Sequence, residues 1–141
     1  MRLLLDTHIL LWYFYDKSLL SKKTIDVIDD YSNQIFISVE SLREIELKKV
    51  TLFKEFKIKT SVQDITEAFK QAGIKIIPVQ EKHVFKLHDI QYVTFNGNIH
   101  QDPFDRILIA TAITDNLTMI SSDKKFPEYV KKCKLKLLQN K

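Results

Sequence analysis

Apolar positions open the chain as an unbroken run. Leu3-Leu4-Leu5 follows Arg2 and stops at Asp6. That run is too short for a helix and has no polar face, the pattern of a strand buried on both sides of a parallel sheet. Ile35-Phe36-Ile37-Ser38, Ile74 to Val79 with Pro78 closing it, and Thr118-Met119-Ile120-Ser121 repeat the pattern, and Leu135 to Leu138 is a candidate fifth strand. Between these runs the period becomes helical. Ile9 to Tyr15 reads as a helix and Asp16 to Leu20 as a connection. Ser21 caps a helix in which Ile25, Ile28 and Asp29 keep helical spacing. Ser38 caps another over Val39 to Lys49. Thr60 or Ser61 opens a helix that runs through Ala72 and ends at Gly73, a C′ glycine. Glu81 to His88 is a short helix, and Gln91 to Gln101, polar around Asn96-Gly97-Asn98, is a loop. Asp102-Pro103 then sets a cap before a first-turn proline, so a helix is expected from Phe104 to Asn116.

Strands alternating with helices predict an α/β fold: a central, mainly parallel sheet of four to five strands with helices on both faces. In such sheets functional groups collect at the carboxyl ends of the strands, near the point where strand order reverses. That edge is where candidate chemistry belongs.

Composition narrows the reading. The 141 residues are 45% hydrophobic and 28% charged, ordinary globular usage that argues against disorder. With 2 Gly and 3 Pro, no repeat and no low-complexity stretch, nothing marks a linker, and one domain over residues 1–141 is expected. A single cysteine, Cys133, provides neither an internal disulfide nor a structural zinc site, which fits a reducing compartment. No apolar stretch approaches the ~20 residues of a membrane span. Asp6 and His8 interrupt the opening run, against a signal peptide, so a cytoplasmic location is expected. The formal charge of +4 suggests a polyanionic partner without establishing one. From Lys124 to Lys141 seven lysines face one acid, Glu128, which reads equally as a solvated tail or a nucleic-acid contact.

Four acids fall at the informative edge. Asp6 closes the first strand and Asp123 follows the fourth by two residues. Glu44 lies six residues past Ser38, about 1.7 turns along its helix, and Asp105 sits in the first turn after Asp102-Pro103. Singly these are turn, cap, surface or helix-dipole residues. Jointly they are a cluster whose mutual repulsion, once buried, calls for compensation. A divalent cation supplies it, and hard oxygen donors without a His or Cys cluster select Mg²⁺ or Mn²⁺. Such an ion activates water and neutralises charge on a phosphodiester.

Here the segments Leu3-Leu4-Leu5-Asp6-Thr7-His8, Ser41-Leu42-Arg43-Glu44-Ile45, His100-Gln101-Asp102-Pro103-Phe104-Asp105-Arg106 and Ile120-Ser121-Ser122-Asp123 occur in one order along the whole chain. In that order they resemble the PIN-domain proteins, most closely the VapC-type toxins of bacterial toxin–antitoxin pairs. The resemblance implies a PIN-like three-layer α/β/α sandwich. It also implies an endoribonuclease that hydrolyses RNA phosphodiester bonds with metal-activated water, using Mg²⁺ or Mn²⁺ as its substitute. Its four acidic positions map onto Asp6, Glu44, Asp105 and Asp123, as catalytic groups and as ligands of the metal, directly or through water. A cognate antitoxin and a homodimer are implied as partners, with no membrane.

Around these acids, Thr7 and Ser121 resemble the family's hydroxyl-bearing neighbours, expected either to hydrogen-bond a ligand carboxylate or a metal-bound water or to serve as turn or backbone caps. Asp102 is a helix cap first and an accessory acid second. Arg106, Lys124 and Lys125 are candidate RNA contacts, Arg106 having a pairing with Asp102 or with a neighbouring helix as its plainer role. His8 and His100 flank the acids and are kept as substrate contacts, although a lone His near a strand end is more often structural. Trp12, Tyr13, Phe14 and Tyr15 share one helix and cannot all face inward, which leaves apolar surface for a partner.

The competing reading is a non-catalytic module, either a PIN fold without turnover or a phospho-receiver. A receiver needs adjacent acids after its first strand, where this chain has Thr7 and His8, and a phosphoacceptor Asp on a central strand, where it has Ser38. A silent PIN scaffold is expected to lack at least one acid, and all four are present. A phosphohydrolase of the haloacid-dehalogenase type needs Asp where His8 stands.

Overall fold

A computed structural model describes all residues, Met1–Lys141. β1 (Arg2–Leu5) hands over directly to α1 (Thr7–Tyr15). The transition is made by Asp6, whose extended backbone and side chain cap the helix: Oδ1 accepts the Ile9 N–H at 2.9 Å. The helix therefore starts two residues before the expected Ile9. A 3₁₀ turn at Lys17–Leu19 leads to α2 (Lys22–Asp29), capped by Ser21 as its sequence predicts.

β2 (Gln34–Ser38) is followed by α3 (Val39–Leu47), where one helix to Lys49 was expected. The backbone leaves helical geometry at Lys48, with φ −105° and ψ 13°. A second helix, α4 (Lys49–Glu55), then turns Leu52 into the core. Ser61 rather than Thr60 caps α5 (Val62–Gln71), and Gly73 beyond it has φ +88°, the left-handed turn that favours glycine.

β3 (Lys75–Ile77) and α6 (Glu81–Lys86), extended by a 3₁₀ turn at Leu87–Asp89, match expectation. The predicted loop 91–101 contains a two-strand hairpin, β4 (Thr94–Phe95) and β5 (Asn98–Ile99), turned by Asn96 at φ 52° and Gly97 at φ 79°. Asn-Gly with both φ positive is the turn whose twist suits a tight hairpin.

α7 (Pro103–Thr114) starts at the Asp102 cap, and β6 (Thr118–Ser121) follows. The lysine-rich end is not a solvated tail. It forms α8 (Phe126–Lys132), which buries Phe126 and Tyr129 while its lysines face out, and then β7 (Lys136–Gln139). Only two apolar residues anchor α8, too few to display a period.

The main sheet has five strands in the order β3-β2-β1-β6-β7, every neighbouring pair parallel. Alternation along β1 divides two cores. Leu3 and Leu5 pack with Ile9, Ile37, Ile45, Ile65 and Phe69 on one face, and Leu4 packs with Phe36, Leu108, Met119 and Tyr129 on the other. The result is a three-layer α/β/α sandwich. Strand order runs outward from β1 in both directions, so the reversal falls between β1 and β6, where their carboxyl ends leave a crevice. No helix is long and apolar enough to cross a membrane.

Candidate active site

The crevice is built by adjacent strand ends. Leu5 pairs with Ile120, and the Asp6 N–H donates to the Ile120 carbonyl at 3.1 Å, which brings Asp6 beside the end of β6. The Ser121 hydroxyl donates to Asp6 Oδ2 and accepts the Asp123 N–H at 3.0 Å. Asp123 Oδ1 in turn accepts the Lys125 N–H at 2.9 Å, closing the turn after β6. From the other core layer, Asp102 Oδ1 accepts the Phe104 and Asp105 N–H groups at 2.9 and 3.0 Å, and this cap sets Asp105 at the start of α7. α3, launched from β2, delivers Glu44.

The four acids line one cleft of about 340 Å³, with His8 and Trp12 on its α1 wall. Trp12 and His8 stack at a tilt, ring centroids 5.6 Å apart. Two lysines approach the acids: Lys48 Nζ lies 2.8 Å from Glu44 and Lys125 Nζ lies 3.5 Å from Asp123. The Lys48–Glu44 pair was not foreseen, though its i,i+4 spacing is visible in the sequence.

Crowding is written into the proton affinities. Burial pushes Asp105 up from 3.8 to about 8, and Asp102, Asp123, Asp6 and Glu44 add to the rise. Burial likewise lifts Asp6 to about 6 despite the Ile9 N–H, the Ser121 hydroxyl and His8, which favour its charged form, while Asp123 opposes them. Two lysines at the rim therefore leave the negative charge under-compensated. No three acidic, His or Cys side chains form a ready-made metal cage. The donor set is nonetheless all oxygen, and Mg²⁺ takes one or two carboxylates while keeping several waters. The residues fit a hydrated hard cation in the cleft, not a closed cage.

Other expected residues divide. Ser121 makes the expected bond to an acid. Asp102 caps α7 and does not line the cleft. Thr7 differs: its buried hydroxyl donates to Ser41 Oγ at 3.1 Å, tying α1 to α3, and not to Asp6. Arg106 meets a neighbouring helix, α8, and not the rim of the cleft. Its guanidinium is buried, donating to the Ile90 carbonyl at 2.8 Å and the Tyr129 hydroxyl at 3.3 Å, and neither faces solvent for a phosphate nor pairs with Asp102. Lys124 is exposed and Lys125 half-buried beside Asp123. His8 is exposed in the cleft, whereas His100 is buried and bonded to Asp105. Of the α1 aromatics, Trp12, Tyr13 and Phe14 pack against the core and Tyr15 is left exposed.

The sequence pattern of the PIN domain matches residues 3–132. The chain belongs to the PIN-domain family. Solved structures similar to this PIN domain include VapBC2 from Rickettsia felis bound to a promoter DNA fragment, at 20% identity and TM-score 0.69 with all of both chains covered. FitAcB from Neisseria gonorrhoeae is similar at 16% identity and TM-score 0.63, covering 97% of this chain and 96% of that one. A toxin–antitoxin complex from Klebsiella pneumoniae is similar at 18% identity and TM-score 0.52, covering 86% and 87%. At these identities the likeness is one of fold. Among curated proteins no match was found.

Proposed function

We propose that this PIN domain, spanning the whole chain, is the toxin of a toxin–antitoxin pair and acts as a metal-dependent endoribonuclease. The observation that carries the reading is the convergence of Asp6, Glu44, Asp105 and Asp123, from four separate segments, on one cleft at the strand-order reversal. Isolated caps and surface acids have no reason to share a cleft, and burying them together is costly without a cation. Asp6, Asp105 and Asp123 are the proposed ligands of Mg²⁺, or of Mn²⁺ in its place, with Glu44 completing the set directly or through water. A bound divalent cation supplies charge neutralisation at the phosphodiester and a water of lowered pKa.

The remaining groups orient and bind. Ser121 fixes the Asp6 carboxylate by hydrogen bond, and the Asp102 cap fixes the position of Asp105. Lys124 and Lys125 at the rim hold the RNA backbone. The open cleft suits single-stranded or looped RNA better than a rigid duplex. The similar Klebsiella pneumoniae structure is a toxin–antitoxin complex, which supports an antitoxin partner here. Exposed Tyr15 on α1 offers apolar surface for that partner or for a second copy in a homodimer. A cytoplasmic setting completes the reading.

The test incubates purified, antitoxin-free protein with defined RNA pools under Mg²⁺, Mn²⁺ or EDTA, beside an Asp6→Asn control for contaminating nuclease. Internal cleavage is expected with either ion and absent with EDTA or in the variant. Cleavage that persists in the Asp6→Asn protein, or none under any ion, overturns the proposal.

A further inference from the structure

Beside Asp105, three buried polar side chains form a chain of hydrogen bonds. Arg106 Nη1 donates to the Tyr129 hydroxyl oxygen at 3.3 Å. That hydroxyl lies 2.7 Å from His100 Nδ1, and His100 Nε2 lies 3.0 Å from Asp105 Oδ2. Tyr129 is fully buried, and His100 and Arg106 are each 7% exposed.

The direction of this chain follows from its first member. A guanidinium has only donors and keeps its protons at any pH of interest. Arg106 is held in place by the Ile90 carbonyl at 2.8 Å and by the Tyr92 ring, 4.1 Å from its carbon centre. Tyr129 oxygen therefore accepts from Arg106, and its own proton has one partner left, His100 Nδ1. With Nδ1 accepting, the neutral imidazole carries its proton on Nε2 and donates it to Asp105. A doubly protonated ring would leave the Tyr129 proton without an acceptor.

We infer that His100 is a positioning residue, locked by Tyr129 and Arg106 as its Nε2–H tautomer so that it holds Asp105 Oδ2 and leaves the other oxygen of that carboxylate to the cleft. The inference rests on the metal reading of the cleft and extends it to residues that do not line the four-acid cluster. Outer partners of this kind fix the aim of a ligand, and their loss weakens metal binding or activity by roughly 10–100-fold. It also gives buried Arg106 a role beyond packing: it sets the tautomer of a ring it does not touch.

The experiment uses the full chain labelled with ¹⁵N. Long-range ¹H–¹⁵N NMR reads the His100 tautomer, assigned by the signal lost in His100→Gln, and Mn²⁺ titration followed by EPR reads affinity. Thermal melts confirm that each variant is folded. Expected are an Nε2–H ring in the wild type and mixed tautomers in Tyr129→Phe. His100→Ala should bind Mn²⁺ roughly 10–100-fold more weakly. His100→Gln, whose amide nitrogen stands as many bonds from Cα as imidazole Nε2, should recover most of the loss. A wild-type ring protonated on Nδ1, undiminished Mn²⁺ affinity in His100→Ala, or a Gln variant no better than the Ala variant overturns the inference. A wild type that shows the Nε2–H ring but binds no Mn²⁺ overturns the metal reading of the cleft while upholding the lock.

Discussion

Ser121 donates its hydroxyl proton to Asp6 Oδ2 across the β1–β6 strand pair, although 115 positions separate them, and Ser121 Oγ accepts the Asp123 N–H at 3.0 Å. One small side chain thereby ties the two acids at the strand ends to each other. Ser121→Ala removes a donor that favours the Asp6 carboxylate and orphans the Asp123 N–H. The expected cost is about 1–2 kcal/mol of stability in urea unfolding. RNA cleavage is expected to fall as well, because both acids lose their aim.

Asp6 serves as a cap and as an acid, and two substitutions separate these roles. Asn keeps a carbonyl oxygen for the Ile9 N–H but removes the charge; Ala removes both. Asp6→Asn is expected to melt near the wild type and cleave nothing, and Asp6→Ala to lose about 1 kcal/mol of stability besides. Asp123→Asn should likewise fold without cleaving.

Metal-free stability should fall as pH rises. Asp105 goes from 3.8 when unfolded to about 8 when folded, and Asp6 from 3.8 to about 6. Between these values the folded protein holds more protons than the unfolded chain, so each unit of rising pH favours unfolding. In EDTA, the melting temperature should decline from about pH 4 to about pH 8 through this contribution. Asp105→Asn should exceed the wild type at pH 8 and lose that advantage near pH 4. Added Mg²⁺ should raise the wild-type melting temperature more at pH 8 than at pH 5. A flat EDTA profile, identical in Asp105→Asn, contradicts this account.

Arg106 and Lys125, neighbours of the same cleft, should respond oppositely. Arg106→Ala strips donors from the buried Ile90 carbonyl and Tyr129 hydroxyl, an expected loss of about 2–3 kcal/mol in chemical denaturation. Lys125→Ala should stay within about 0.5 kcal/mol of wild type. Its effect belongs in KM for RNA and in a weaker salt dependence of binding.

Legibility in the sequence followed the range of the interactions. The caps at Ser21, Ser38, Ser61 and Asp102 join groups two or three residues apart, and the strand runs declare burial by composition alone. The candidate acids could be singled out because Asp6 and Asp123 sit at or just beyond strand ends, and Glu44 and Asp105 lie in the first two turns of helices with legible caps at Ser38 and Asp102. α8 was not legible, since its Phe126 and Tyr129 gain meaning only from the Leu4 and Met119 face they cover.

The primary structure thus settled the strands of the main sheet, the caps at Ser21, Ser38 and Asp102, and which acids are candidates, all matters of near neighbours and periodic burial. It left open where Arg106, Thr7 and His100 point. Those directions depend on which distant segments the sheet order places beside them: Ile90 and Tyr129 for Arg106, Ser41 for Thr7, and Tyr129 with Asp105 for His100. A buried donor takes whatever acceptor packing leaves within about 3 Å, and that choice is made by the folded chain as a whole.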